Sequence, residues 1–91
     1  MRIEVEGGFK KSATDLRDNQ WHHVALVFDG DANPTVNDCV MYLDGVEDGP
    51  YTNGANDQVI NTGVTPVEIG KDGQSRFFGG LIDEVRIYRS A

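Results

Sequence analysis

Apolar positions in this chain recur at intervals of two, the period of a strand with one covered face. In residues 2–6, Ile3 and Val5 alternate with Arg2, Glu4 and Glu6. Residues 22–29, His-His-Val-Ala-Leu-Val-Phe-Asp, form the clearest second run. Residues 39–44 are apolar on both faces, which predicts a central strand. A short fourth run covers 58–61. A fifth covers 65–69, with Val67 and Ile69 inward and Glu68 outward. The longest and last covers 78–89. On alternation Leu81, Val85 and Ile87 share a face in that run, and Asp83 falls among them. An unpaired charge on a buried face is costly, so Asp83 is expected to be paired, metal-bound or at an edge.

Turn residues punctuate these runs. Asp29-Gly30, Asp44-Gly45, Asp48-Gly49, Asn53-Gly54 and Asp72-Gly73 supply the positive φ values of tight turns. Residues 48–57, rich in Gly, Pro and Asn, read as the main loop. No segment carries a sustained helical period with caps. The expectation is a single all-β domain over residues 1–91, antiparallel because the connections are too short for helical crossovers.

Charge narrows the range of partners. Eight basic residues face fifteen acidic ones, for a formal net charge of -7. Binding nucleic acid through its phosphates is therefore not expected. Between Arg17 and Lys71 there is no Lys or Arg, while nine acids fall there. They read either as a solvated acidic surface or as ligands for a hard cation such as calcium. No apolar run approaches the roughly 20 residues of a membrane helix, so no membrane insertion is expected. No basic-then-apolar leader is visible.

Single motifs read mostly as structure. The lone Cys39 excludes an internal disulfide, and its place beside Val40 and Met41 predicts a buried free thiol. His22 and His23 point to opposite faces on alternation, so they share neither a metal nor a proton. One of them is expected to be hydrogen-bonded near the Trp21 ring. Asp29, Asp31 and Asn33 have the D-x-D-x-N spacing of a calcium loop. The EF-hand pattern then fails, because Pro34 replaces its glycine and Val40 its bidentate glutamate. An ordinary loop rich in Asx turns explains the same residues.

Three pieces stand in order: Gln20-Trp21-His22-His23-Val24-Ala25, then Tyr42-Leu43-Asp44-Gly45, then Ile69-Gly70 followed by Phe78-Gly79-Gly80-Leu81-Ile82-Asp83-Glu84-Val85-Arg86-Ile87-Tyr88. Together, over residues 18–90, they resemble the laminin G-like domains of the concanavalin A-like lectin/glucanase superfamily. The resemblance implies an antiparallel, jelly-roll-like β-sandwich in an extracellular or cell-surface setting. Relatives are longer, and only the C-terminal half of their pattern is matched here. A truncated concanavalin A-like sandwich has two open sheet edges. It either closes into a minimal sandwich, associates as a homodimer, or is marginally stable.

The resemblance also places 78–89 deep in the sandwich as a closing strand, with Asp83 as an inward polar anchor or a calcium ligand. The candidate metal ligands are therefore Asp29, Asp31, Asn33 and Asp83. Glucanases of the superfamily use an E-x-D-x-x-E arrangement, which this sequence lacks. The expected function is a non-catalytic binding or adhesion module that recognises a glycan or an extracellular protein through rim loops 29–37 and 48–57. Tyr51, Asn53 and Trp21 are its candidate contacts. A structural, self-assembling sandwich without a small ligand is the alternative.

Overall fold

A computed structural model of the chain describes residues 1–5, 8–28, 33–54, 68–71 and 74–89. Among these residues the chain is all-β, with six strands and one short 3-10 turn. The strands are β1 (Arg2–Val5), β2 (Gly8–Lys11), β3 (Val24–Phe28), β4 (Cys39–Leu43), β5 (Val46–Glu47) and β6 (Thr52–Gly54). They form two antiparallel sheets, one ordered β1-β2-β6 and the other β3-β4-β5. The expected run at 58–61 and the part of the fifth run before Glu68 lie outside the described residues.

The second sheet follows the hydropathy pattern closely. Val24 pairs with Leu43, Leu26 with Met41 and Phe28 with Cys39. β4 then turns back through Asp44 and Gly45 into β5, pairing Leu43 with Val46. Both turn residues have positive φ, 50° and 83°. That is the two-residue hairpin an Asp-Gly pair favours, because its twist matches the flanking strands.

The first sheet was less legible. β2 is Gly-Phe-Lys-Lys, whose single apolar side chain hides the alternation. Its inward residue is Lys10, which is buried. Asn53-Gly54, expected as a turn, lies instead in β6 and pairs with Lys10 and Phe9. The reason is close packing. A Cβ on Gly54 would lie 2.4 Å from Phe9 Cε1, so only glycine lets the Phe9 ring lie against this strand.

The two sheets meet at β4. Val36, Cys39 and Met41 are fully buried there. Val36 is fixed by the 3-10 turn Val36–Asp38, which Asp38 closes by accepting the Thr35 amide (2.7 Å) and hydroxyl (2.9 Å). Residues 48–51 then carry the chain from one sheet to the other. The Asp48 amide donates to the Met41 carbonyl (2.9 Å), and the Ala13 amide to the Asp48 carbonyl (3.2 Å). The Asp48 carboxylate accepts the Thr14 hydroxyl (2.5 Å) and amide (3.2 Å). Cover is only partial over β3. Met41 is 0% exposed, while its cross-strand partner Leu26 is 48% exposed.

The last part of the chain departs from expectation. Residues 78–89 form no strand and are exposed. Ile69, expected inward, is exposed as well. Lys71 and Phe77 form an isolated antiparallel bridge, and the Phe78 amide donates to the Gly70 carbonyl (2.7 Å). Glu84 then takes a left-handed φ of 53°. A residue in that region breaks an extended run, so strand alternation no longer assigns the faces of Leu81 to Tyr88.

Lys10 carries the join between sheets, so its ammonium is the part to remove. In Lys10→Met the Asn37 and Cys39 carbonyls lose a charged donor while the aliphatic volume is largely kept. The expected loss is about 2 kcal/mol, or roughly 10 °C in the midpoint of thermal unfolding for a chain of this size. An unchanged midpoint would show that the Lys10 ammonium contributes nothing to holding the sheets together.

Candidate functional site

Trp21 is the most conspicuous exposed aromatic among the polar loops, with 67% of its surface open. The segment that presents it is ordered by short-range hydrogen bonds. The Asp15 carboxylate takes the Arg17 side chain through Nε (2.8 Å) and Nη2 (2.5 Å) and also accepts the Arg17 amide (3.1 Å). Arg17 holds the Asp15 carboxyl well below the usual carboxylate range. Both groups are largely exposed, so the pair shapes the loop more than it stabilises the fold. Asp18 Oδ1 accepts the Gln20 amide (2.9 Å), with Asn19 between them at a φ of 60°. Asparagine tolerates that left-handed turn.

His22 lies between two carboxylates. Its Nδ1 is 2.7 Å from Asp44 Oδ2, and its Nε2 is 3.0 Å from Asp18 Oδ2. The other Asp44 oxygen accepts the His23 amide (2.8 Å), and the Asp44 amide donates to the His23 carbonyl (2.8 Å). Asp44 therefore ties the β4–β5 turn to the chain just before β3. Hydrogen bonding to Asp44, then to Asp18, raises the His22 pKa above its ordinary 6.5. The same contacts lower both aspartates. The expectation of a histidine bonded near Trp21 is met in this form. Its partners are acids the sequence could not assign, one of them 22 residues away.

Tyr51 was expected to face a ligand, and the structure gives it an internal task. Its hydroxyl accepts the Met41 amide (3.1 Å) and donates to Glu47 Oε1 (3.0 Å). The Lys10 ammonium lies 4.1 Å from the centre of its ring, within cation–π range. Burial raises the phenol above its ordinary pKa. Asn53 stays exposed on β6, with only a long 3.5 Å approach to Asn37 Oδ1. Tyr51 thus belongs to the join between sheets, while Asn53 and Trp21 remain exposed.

The metal candidates are not drawn together in what is described. Asp29 and Asp31 lie outside the described residues, and Asn33 is exposed. Asp83 is exposed too, and its Oδ1 accepts the amide of Glu84 (2.8 Å). Asp83 is not the inward anchor expected, because residues 78–89 form no strand and are exposed. Among the described residues no three His, Cys, Asp or Glu side chains are placed to hold a metal ion. Most of the central acids are engaged otherwise. Asp38 and Asp48 have lowered pKa values, chiefly through the Thr35 amide and the Thr14 hydroxyl respectively. Cys39 is the buried free thiol expected, and burial raises its pKa.

A family model of the concanavalin A-like lectin/glucanases superfamily, the third laminin G type, matches residues 2–91. The chain is a laminin G-like domain. Comparison with curated proteins and with solved structures gives no match. The family match includes β1 and β2, which the sequence motifs from residue 18 onward did not reach. Two antiparallel sheets without an α-helix among the described residues suit this laminin G-like domain's β-sandwich class. Among the same residues no helix is long and apolar enough to cross a membrane.

Within the laminin G-like domain, Tyr51 can be tested as a fastener. Tyr51→Phe keeps the ring under Lys10 and leaves the Met41 amide without its oxygen. It should cost about 1 to 2 kcal/mol, read by urea denaturation. A stability equal to that of the parent would return Tyr51 to the list of ligand contacts.

Proposed function

We propose that this laminin G-like domain is a non-catalytic module that recognises a glycan or an extracellular protein, with Trp21 at the centre of its contact surface. The observation that carries the reading is Trp21 itself, 67% exposed on a loop whose start is tied by Thr14 to Asp48 and whose end is tied by His22 to Asp44. A large aromatic displayed on an ordered loop binds at low entropic cost, which is why tryptophan dominates many binding hot spots. Gln20, Asp18 and Asp44 supply polar groups next to it. Asn53 belongs to the proposal as a peripheral contact. Tyr51 contributes through the support it gives β4. The non-catalytic part rests on the family and on the absent E-x-D-x-x-E spacing.

Calcium enters through the Asp29, Asp31 and Asn33 spacing alone, so the binding test carries a metal arm. A glycan array and a panel of extracellular matrix proteins are probed with the parent, Trp21→Ala and Tyr51→Phe, each in about 1 mM calcium and in EDTA. The parent should bind at least one ligand. Trp21→Ala should lose roughly tenfold or more in affinity with an unchanged melting temperature. Binding that persists in EDTA removes calcium from the proposal. Uniform silence in both conditions counts against the module as a whole.

A self-assembling role is the second reading, and a specific observation favours it. Phe77, Phe78, Leu81, Ile82, Val85, Ile87 and Tyr88 are all exposed along one short segment. Val24 and Leu26 are exposed on β3, at the end of its three-stranded sheet. An uncharged strand at a sheet edge offers backbone groups to another strand. Sedimentation velocity at increasing concentration should show a homodimer if this surface assembles. The double variant Leu81→Asp, Ile87→Lys should return it to monomer. A single monomeric species across the range removes the reading.

A further inference from the structure

We propose that His22 is a pH-sensitive pin that holds the Trp21 loop against the β4–β5 turn while its ring is protonated and both flanking carboxylates are ionised, and releases it as the ring loses its proton. Both ring nitrogens lie within hydrogen-bond distance of a carboxylate oxygen, Nδ1 at 2.7 Å and Nε2 at 3.0 Å. Neither aspartate has a proton to donate at neutral pH, so each contact needs a ring N–H. A neutral imidazole carries only one N–H. The observed geometry is therefore that of an imidazolium held between two anions.

The two anions belong to different elements. Asp18 comes from the loop before β3, and Asp44 from the turn after β4. Trp21 lies between Asp18 and His22, so its position depends on both ends of that short stretch. Among the described residues, Asp44 and Asp18 are the groups that act on His22. His23 follows it along the chain and acts on Asp44 through its amide.

The direction with pH follows from charge. His22 is raised above 6.5, so the attraction is complete below that value and is lost as pH rises through the raised pKa. Asp18 and Asp44 are lowered from 3.8, so the pin also fails as pH falls through their lowered values. The pin is intact between these limits. When His22 loses its proton, one nitrogen presents a lone pair to a carboxylate and that contact opens. Asp18 and Asp44 are about half exposed, so high salt should weaken the pin. Its effect is local to the loop, and it does not depend on Trp21 binding any ligand.

The test needs no ligand. The full chain, labelled with nitrogen-15, is titrated from about pH 5 to pH 9. The His22 ring-nitrogen signals and the fluorescence of Trp21, the single tryptophan, are followed together. The ring should titrate above 6.5, and the fluorescence step should share its midpoint. Asp18→Asn keeps an oxygen for the Gln20 amide and should move both midpoints down together. His22→Gln should abolish the fluorescence step, and His23→Gln should leave it in place. Dispersed amide signals in the same spectra show that each variant is folded. Asp44→Asn, which keeps an oxygen for the His23 amide, is a second route to the same downward shift. A ring that titrates at or below 6.5 would overturn the pin. So would a fluorescence step that survives His22→Gln. Loss of ligand binding in Trp21→Ala without a pH-dependent Trp21 signal would support the binding module and reject the pin.

Discussion

The Lys10 ammonium ties the two sheets together. It donates to the Asn37 carbonyl (2.7 Å) and the Cys39 carbonyl (2.5 Å) and lies over the Tyr51 ring. A buried ammonium is tolerated only where its donors are satisfied. Here two backbone carbonyls and an aromatic face satisfy it, and in return β2 is fixed beneath β4. The Tyr51 hydroxyl extends the same network to the Met41 amide. Val36, Cys39 and Met41 fill the space between these polar ties. Among the described residues the fully buried apolar side chains are few, so directional contacts help to set how the sheets meet.

From that join the presentation of the loops follows. β4 is held from below by Lys10 and Tyr51, and it ends in the Asp44-Gly45 turn. The turn places the Asp44 carboxylate where His22 and the His23 amide reach it. Trp21 is thus positioned through a chain of contacts that starts at the sheet interface. A run of hydrogen bonds therefore connects the covered part of the sandwich to the exposed loop. The open side of β3 and the exposed segment 77–88 stand apart from this frame, which is why binding and assembly are separate readings.

The legible part of the fold is local. The run 39–44 became β4, and 22–29 became the shorter β3, because alternating β-branched and aromatic residues favour a pleated, half-covered surface. Asp44-Gly45 became a tight turn because few other pairs accept two positive φ values. β2 was not legible, since its inward residue is a lysine and hydropathy treats lysine as solvent-facing. β6 was hidden because Asn53-Gly54 is also a turn signature, and only the Phe9 ring decides between the two roles. For the proposed site, Trp21 was a candidate contact that depended on its exposure, whereas the two acids beside His22 could not be named. A histidine shows no preference in sequence for Asp18 or Asp44 among so many acids.

By itself, then, the sequence determined the all-β class, the laminin G-like pattern, the hairpin at Asp44-Gly45 and the burial of Cys39. Each depends on residues adjacent in the chain, on a period of two, or on the order of short motifs along it. The tertiary structure decided that Tyr51 braces β4, that Lys10 joins the sheets, that His22 lies between two acids, and that Asp83 faces solvent. Each of these depends on contacts between separate segments, or on a backbone break such as the left-handed Glu84. Such contacts are set by where the sheets meet, and no local pattern of residues encodes that distance.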